Sequence, residues 1–289
     1  MNSFTTGLVG VTLFLIMFAL GLGLPGAQLE LFRQRRWFLL RVLLGTCVVV
    51  PLVAMLLLRT PLGMGLAPSA RFAIALMALC PSAPLTLRKA AKAGGSSQLA
   101  AHLQVGAALA AIASIPLMAE VFTSLYGVEG WEITPGSVAM QVGKAQIVPL
   151  ACGLLLSHWQ PGWARRWVGL FDKVANVLLL MLVLVVLGKS APLFLPFISG
   201  HGLAMACMAF MVLVSLLIGY VLAGPNLEDR TTVPFVISMR NPGLALLFAQ
   251  IHAPSMQGLK LSILMYVLIT VILSVPFLRW RKQLSEVLN

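Results

Sequence analysis

Long apolar stretches alternate with short polar segments along the whole chain. Stretches without Asp, Glu, Lys or Arg run over residues 1–29, 42–58, 72–87, 93–119, 145–164, 174–188, 190–227, 241–259 and 261–278. A bilayer core about 30 Å thick requires roughly 20 apolar residues in a helix that crosses it. Since these stretches lack the polar stripe of a soluble amphipathic helix, they predict membrane-spanning helices.

This pattern predicts an all-α polytopic membrane protein with about nine transmembrane helices. The predicted spans are 6–24, 38–58, 71–93, 97–123, 140–158, 168–190, 202–223, 230–252 and 258–278. Because the connections are short, we expect a single transmembrane domain over residues 1–289 and no separate soluble domain. The first apolar run has no basic region before it and no clear cleavage site, so we expect it to be retained as a helix.

Composition and charge agree with this interpretation. The chain is 60% hydrophobic and 10% charged, whereas soluble domains average about 25% charged residues. Its net charge of +12 would suggest a nucleic-acid partner in a soluble protein. Here we expect the lipid bilayer as the partner and no nucleic acid, because the basic residues are distributed by side of the membrane.

Lysine and arginine accumulate in cytoplasmic loops, so their distribution predicts the orientation. If the N-terminus lies outside and the C-terminus in the cytoplasm, the inner side holds Arg33, Arg35, Arg36, Arg41, Arg88, Lys89, Lys92, Arg165, Arg166, Lys173, Arg230, Arg279, Arg281 and Lys282. The outer side holds only Arg59, Arg71, Lys144, Lys189 and Lys260. We therefore expect a multi-pass protein of a bacterial-type inner (cytoplasmic) membrane.

Two predicted spans, 71–93 and 230–252, contain residues that break a helix. Pro81 and Pro84 interrupt the first of them, and the run from Asn241 to Gly243 interrupts the second. Proline removes a backbone donor and clashes with the preceding turn. Non-helical backbone at membrane depth is tolerated where it lines a cavity or is buried in protein, and a matched pair of broken segments indicates a transporter binding site.

The two broken spans lie five spans apart, and an odd offset inverts topology. We therefore expect inverted-repeat halves at roughly residues 1–125 and 138–289, with the two breaks crossing near the midplane. The alternative is that the prolines only kink two packing helices. No phosphate-binding loop, facing catalytic pair or metal-ligand spacing of Cys and His is present, so we expect neither an enzyme nor a cofactor or metal site.

Several stretches resemble the bile acid:sodium symporter family in its broad, bacterial sense, and less closely its distant relatives, the auxin-efflux-type carriers. They are FALGLGL at 18–24, CPSAPLT at 80–86, RTT at 230–232 and MRNPGLALLFA at 239–249. The resemblance implies a panel domain, a core domain with two crossed broken helices, and alternating access between them. It also implies a small organic anion as substrate, such as a carboxylate or sulfonate, often driven by sodium.

The chain departs from the family's sodium pattern. Val236 stands at the position of a glutamate, Arg240 at that of a glutamine, and Thr86-Leu87 at that of Ser-Asn. Further ion-ligand positions hold Thr46, Ala100 and Gln104. A hard cation such as Na⁺ prefers oxygen ligands, and holding it beside an arginine without an anionic ligand is electrostatically unfavourable. We therefore expect transport that is not coupled to sodium through the family's usual sites.

Arg240 is the most informative residue, because a charge in the middle of a span defaults to a functional hypothesis. We interpret it as a replacement for the sodium charge that also attracts an anionic substrate; the alternative is a purely structural role. The other candidates for substrate binding are Asn241, Thr86, Ser82, Arg88, Ser238 and Gln104. His102 is the candidate for proton coupling, because histidine titrates near neutral pH, although a packed neutral histidine is the simpler interpretation.

These features predict a secondary transporter of a small organic anion. Two alternatives are a sodium-dependent symporter with altered ion sites and a non-transporting membrane sensor or assembly subunit. No signalling segment is evident in the chain, which argues against a sensor. An intramembrane enzyme would require facing catalytic residues at membrane depth, which the sequence does not show.

Overall fold

The computed structural model describes residues 3–24, 34–81, 90–126 and 135–288, and the regular structure in these ranges is entirely helical. The helices are α1 (Ser3–Leu22), α2 (Arg36–Arg59), α3 (Pro61–Met64), α4 (Pro68–Leu79), α5 (Ser97–Tyr126), α6 (from Pro135–Val142 to Val148–Trp159), α7 (Pro161–Gly200), α8 (Gly202–Ala223), α9 (Leu227–Ser238), α10 (Pro242–His252) and α11 (Leu259–Leu288).

Six helical segments in the described ranges are long and apolar enough to cross a bilayer. They are Arg36–Arg59, Ser97–Ser124, Gly136–Trp159, Gly202–Ala223, Leu227–His252 and Leu259–Val287, and two shorter apolar helices cover Gly7–Leu22 and Pro68–Leu79. Leucine side chains on outward faces, such as Leu56 and Leu217, are 67% and 61% exposed. The chain is therefore an all-α membrane protein, but the predicted number of nine spans is not confirmed.

Two helices extend beyond the predicted spans, at ends where the prediction stopped near a charged residue. The sixth span was predicted at 168–190, but α7 runs from Pro161 to Gly200 through Pro192 and Pro196. The ninth was predicted at 258–278, but α11 continues to Leu288. A charged residue limits how deep a helix lies in the bilayer, whereas helical hydrogen bonding continues beyond the hydrocarbon region.

The helices α2 and α6 each contain one five-residue π-helical segment. These segments are Gly45–Val49 and Gly143–Ile147. In both, the glycine begins the sequence Gly-x-x-x-x-Val-Pro, which covers 45–51 and 143–149. The valine N–H donates to the glycine carbonyl five residues earlier, and the proline has no N–H to continue the pattern. Each segment therefore lacks one helical donor.

The described helices pack into two groups. In the first group, α1 packs along α6 and α7; in the second, α2, α4, α5 and α8–α11 share one large buried core, to which Val138 and Val142 of α6 and Phe197 of α7 also contribute. Close packing in the first group depends on Gly21 and Gly153, since a Cβ on either would lie 2.3 Å from a carbonyl oxygen of the facing helix. Small residues allow helices in a membrane to approach closely, and here they set the spacing of α1 and α6.

Candidate functional site at the helix breaks

The chain leaves helical geometry between α9 and α10, inside the range 230–252 that was predicted to be broken. Met239 has φ −80° and ψ 100°, and Asn241 has φ −87° and ψ 94°. Pro242 explains this local structure, because the residue before a proline is pushed from the α region to extended conformations. The Asn241 side-chain oxygen then accepts the Leu244 N–H at 3.1 Å and caps α10.

The helix α4 ends in the same way. Cys80 has φ −93° and ψ 91° and precedes Pro81, so it adopts nearly the same conformation as Asn241. The Asn241 N–H donates to the Cys80 carbonyl oxygen at 3.1 Å, and both residues are fully buried. The two interrupted helices therefore meet at their breaks and satisfy one backbone donor and one acceptor that the interruptions release.

Arg240 lies within this junction and is 2% exposed. Its Nη1 donates to the carbonyl oxygen and to the hydroxyl oxygen of Thr46, both at 3.0 Å, and its Nη2 donates to the same carbonyl oxygen at 3.1 Å. No carboxylate pairs with Arg240 in the described part of the chain. In the ranges that the structure describes, the guanidinium is therefore contacted by neutral oxygen atoms.

The π-helical segment of α2 explains why the Thr46 carbonyl is available. A helix would satisfy it with the N–H of residue 50 or 51. Val50 donates instead to the Gly45 carbonyl, and Pro51 has no N–H. The oxygen of Thr46 is left without a donor from its own helix, and Arg240 supplies one from across the core. Sequence comparison drew attention to Thr46 as a lost ion ligand, but did not identify it as the arginine's partner.

Three buried side chains in and around the junction keep donors without a partner among the described residues. These atoms are Arg240 Nε, Asn241 Nδ2 and the Tyr266 hydroxyl. A buried donor that is left unsatisfied costs about 1–3 kcal/mol. The junction thus carries a positive charge and an excess of N–H and O–H donors, which suits a group rich in acceptors, such as an anion.

The break also touches the other group of helices. A Cβ on Gly243, at the start of α10, would lie 2.7 Å from Leu13 of α1. Leu13 is 4% exposed and packs with Val9, Leu182 and Leu264. The junction of the two interrupted helices therefore belongs to the core of the second group and also contacts the first group.

Of the other predicted site residues, three are buried in the described ranges and three lie outside them. Ser238 is buried and donates to the Phe235 carbonyl oxygen at 3.1 Å. Gln104 and His102 are buried on α5, a helix that packs against both α9 and the π-helical segment of α2. His102 Nδ1 lies 2.7 Å from the Gln98 carbonyl oxygen, so this nitrogen carries a proton. Ser82, Thr86 and Arg88 lie outside the described residues.

An ion pair at the other end of α9 was not anticipated from sequence. Arg35, just before α2, donates through both terminal nitrogens to the two carboxylate oxygens of Asp229. This hydrogen bonding raises the pKa of the Arg35 guanidinium. The residues are 194 positions apart, so only their predicted common location on the inner side would have indicated the contact.

Comparison with known proteins gives two matches. The model of the family described as "Sodium Bile acid symporter family" matches residues 10–221. A "Sodium-dependent organic anion transporter" of Mus musculus is 27% identical over 186 residues, which cover 63% of this chain and 47% of that protein. The chain thus spans about half the length of this curated relative.

Proposed function

The chain belongs to the sodium bile acid symporter family, and on that basis we propose that it is a secondary transporter of a small organic anion that works by alternating access. Family membership confirms the resemblance seen in the sequence motifs. It also agrees with the expectation of a multi-pass membrane protein that is not an enzyme.

The observation that carries this proposal is the hydrogen bond between the two breaks, from the Asn241 N–H to the Cys80 carbonyl oxygen. Interrupted helices that meet inside a membrane protein present backbone groups and helix ends to a guest. The contact of Gly243 with Leu13 brings this junction to the boundary between the two helix groups. Movement of one group against the other would expose the junction to each side in turn.

We further propose a nine-span architecture with inverted-repeat halves at roughly 1–125 and 138–289. The matching conformations of Cys80 and Asn241, each directly before a proline, support a correspondence between the two breaks. The first helix group would act as the panel domain and the second as the core domain. The basic loops support an inner membrane with the N-terminal end outside and the C-terminal end in the cytoplasm.

The proposed substrate is an anion of the carboxylate or sulfonate type. Arg240 supplies the positive charge, and its Nε and the Asn241 Nδ2, which have no partner among the described residues, supply donors. We also propose that Ser82, Thr86, Arg88, Ser238 and Gln104 contribute polar groups to the substrate path and that His102 is the group to test for proton coupling. The apolar surroundings would accommodate the body of an organic anion.

Sodium coupling through the family's usual positions is disfavoured by charge. Val236, which replaces a glutamate, is buried on α9, and the Arg240 guanidinium occupies the junction with no carboxylate bonded to it among the described residues. Two cations a few ångströms apart repel strongly where water is excluded. The alternative, suggested by the name of the mouse relative, is a sodium-dependent symporter whose ion ligands lie elsewhere.

Reconstituted protein tests this proposal. Thermal shift with a panel of carboxylates and sulfonates identifies a ligand, because a compound that binds the folded form raises the unfolding temperature. Uptake of that ligand into liposomes is then measured with and without a sodium gradient. We expect saturable uptake that is unchanged by sodium; uptake that requires the gradient would support the alternative, and no uptake of any stabilising anion would contradict transport.

A further inference from the structure

A cavity separate from the helix breaks lies where α9 begins and α11 ends. Its volume is about 370 Å³, and it is lined by Gly94, Gly95, Leu227, Glu228, Thr231, Arg281, Leu284 and Ser285. The lining comes from the loop before α5, the first turns of α9 and the last turns of α11. We call it the terminal cavity. Nothing in the proposed transport cycle uses it.

The terminal cavity contains a buried cation that has no acidic partner within the described ranges. Arg281 is 3% exposed; its Nε donates to the Thr231 hydroxyl at 3.0 Å and its Nη2 to the Leu227 carbonyl oxygen at 2.8 Å. Both acceptors are neutral. The nearest buried carboxylate on α9, that of Asp229, is already paired in bidentate fashion with Arg35. Among the described residues, no carboxylate is therefore bonded to the Arg281 guanidinium at the wall of the cavity.

Neighbouring groups strengthen the positive character of the terminal cavity. Helix ends of both signs border it, because the N-terminal turns of α9 and the loop before α5 face the last turns of α11. Its positive character therefore rests on arginine side chains. Arg230 is held by the Gly224 carbonyl oxygen at 2.6 Å and by the Tyr220 ring, which are again neutral partners. The opposing charge is Glu228, whose side chain is exposed at the rim.

Aromatic residues indicate the depth of the cavity in the membrane. Trp280, next to Arg281, is 46% exposed and lies near the rings of Tyr220 and Phe277. Exposed tryptophan and tyrosine collect at the level of the lipid headgroups. Basic pockets between transmembrane helices at this level bind phosphate-bearing headgroups.

We propose that the terminal cavity binds a phosphate-bearing anion through Arg281 and Ser285, on the side predicted to face the cytoplasm. The guanidinium would donate charge-assisted hydrogen bonds to phosphate oxygens, and the Ser285 hydroxyl would add a further donor. The volume admits more than a bare phosphate, which favours the headgroup of an anionic phospholipid over the free ion. Occupation would hold the loop before α5 against α9 and α11.

The test uses the full chain purified in a maltoside detergent, which carries no phosphate. Short-chain phosphatidylglycerol, short-chain phosphatidylcholine and inorganic phosphate are titrated separately, and the unfolding temperature is followed. Stabilisation by phosphatidylglycerol at lower concentration than by the other two identifies the headgroup as ligand. Equal stabilisation by inorganic phosphate identifies the free ion. No stabilisation by any of the three probes overturns the proposal.

Matched variants locate the site. Arg281→Gln and Ser285→Asp should each weaken phosphatidylglycerol binding about tenfold or more, the effect of losing a charge-assisted hydrogen bond. Arg279→Gln and Gln283→Asp make the same charge changes at exposed positions of the same helix and should leave binding unchanged. Glu228→Gln should strengthen binding, because it removes the opposing charge from the rim.

Because Ser285→Asp should weaken binding and Glu228→Gln should strengthen it, these two variants also separate a change in binding from a change in stability. If Arg281→Gln fails to fold because it loses its bonds to α9, Ser285→Asp and Glu228→Gln still decide the question. Binding that is equal in these two variants and in the unchanged protein overturns the proposal. The readout does not involve transport, so its failure leaves the proposed carrier function untouched.

Discussion

Replacement of Arg240 by glutamine separates the electrostatic role of this residue from its structural role. Glutamine removes the charge and is too short to place its amide where the terminal nitrogens of Arg240 contact Thr46. The variant loses charge-assisted hydrogen bonds to Thr46, each worth about 1.5–3 kcal/mol. It also removes a charge whose placement in the middle of a membrane helix costs about 2.5–3.5 kcal/mol. The two effects have opposite sign, and because Nη1 and the Thr46 carbonyl oxygen are each shared between contacts, the loss amounts to about two bonds and is the larger effect.

We therefore expect Arg240→Gln to lower the free energy of unfolding by at most about 3 kcal/mol, while uptake of the anionic substrate falls tenfold or more. The stability is measured by thermal unfolding in detergent, and transport by initial uptake rates in liposomes. Arg240→Lys keeps the charge but not the forked geometry, so intermediate uptake is expected. Thr46→Val serves as a control, since it removes the hydroxyl acceptor but leaves the carbonyl acceptor and the charge.

Normal uptake by a folded Arg240→Gln or Arg240→Ala variant would refute the proposed role in anion attraction. Arginine would then serve only to satisfy the Thr46 carbonyl that Pro51 leaves without a donor. A variant that no longer folds, and loses uptake for that reason, would point to the same structural role. The proposed role in anion attraction stands only if the variant without the charge still folds but no longer transports the anion.

Two further predictions use matched residues elsewhere in the chain. Asn241→Ala removes the side-chain cap of α10, and Asn226→Ala removes that of α9. Each substitution should lower the free energy of unfolding by about 0.5–2 kcal/mol, measured by thermal unfolding. Only Asn241→Ala, which lies at the junction, should also reduce uptake. Gly219→Ala places a Cβ 2.3 Å from the Cα of Pro234 and should lower stability by about 1–3 kcal/mol. Gly169→Ala should not destabilise, because its added Cβ would have no atom within 4 Å outside its own helix turn. Equal stability of the two glycine variants would contradict the packing described for α8 and α9.

Much of the helix content followed from local pattern. The uncharged stretches located the helices because the burial of apolar length in lipid is a local, additive property. The break at 239–241 was anticipated because Pro242 restricts the residue before it wherever the pair occurs. The helices α7 and α11 extend beyond the spans predicted there, because a lysine or arginine limits membrane depth without ending helical hydrogen bonding.

The candidate site was only partly predictable. Arg240 and Asn241 stood out because a charge and an amide beside a proline are unusual at membrane depth. Their partners did not, because Thr46 and Cys80 contribute backbone carbonyl oxygens, which every residue has. The terminal cavity was missed as well, since Arg281 looked like one more basic residue of an inner loop.

By itself the sequence determined that the chain is a helical membrane protein, which residues interrupt its helices, and which family its motifs resemble. These properties depend on neighbouring residues and on solvent preference, so they can be read along the chain. Only the tertiary structure decided that the two interruptions bond to each other, that a π-helical segment in α2 offers its carbonyl to Arg240, and that Arg281 borders a cavity. Those contacts join residues 50 to 194 positions apart, and the packing of whole helices brings them together.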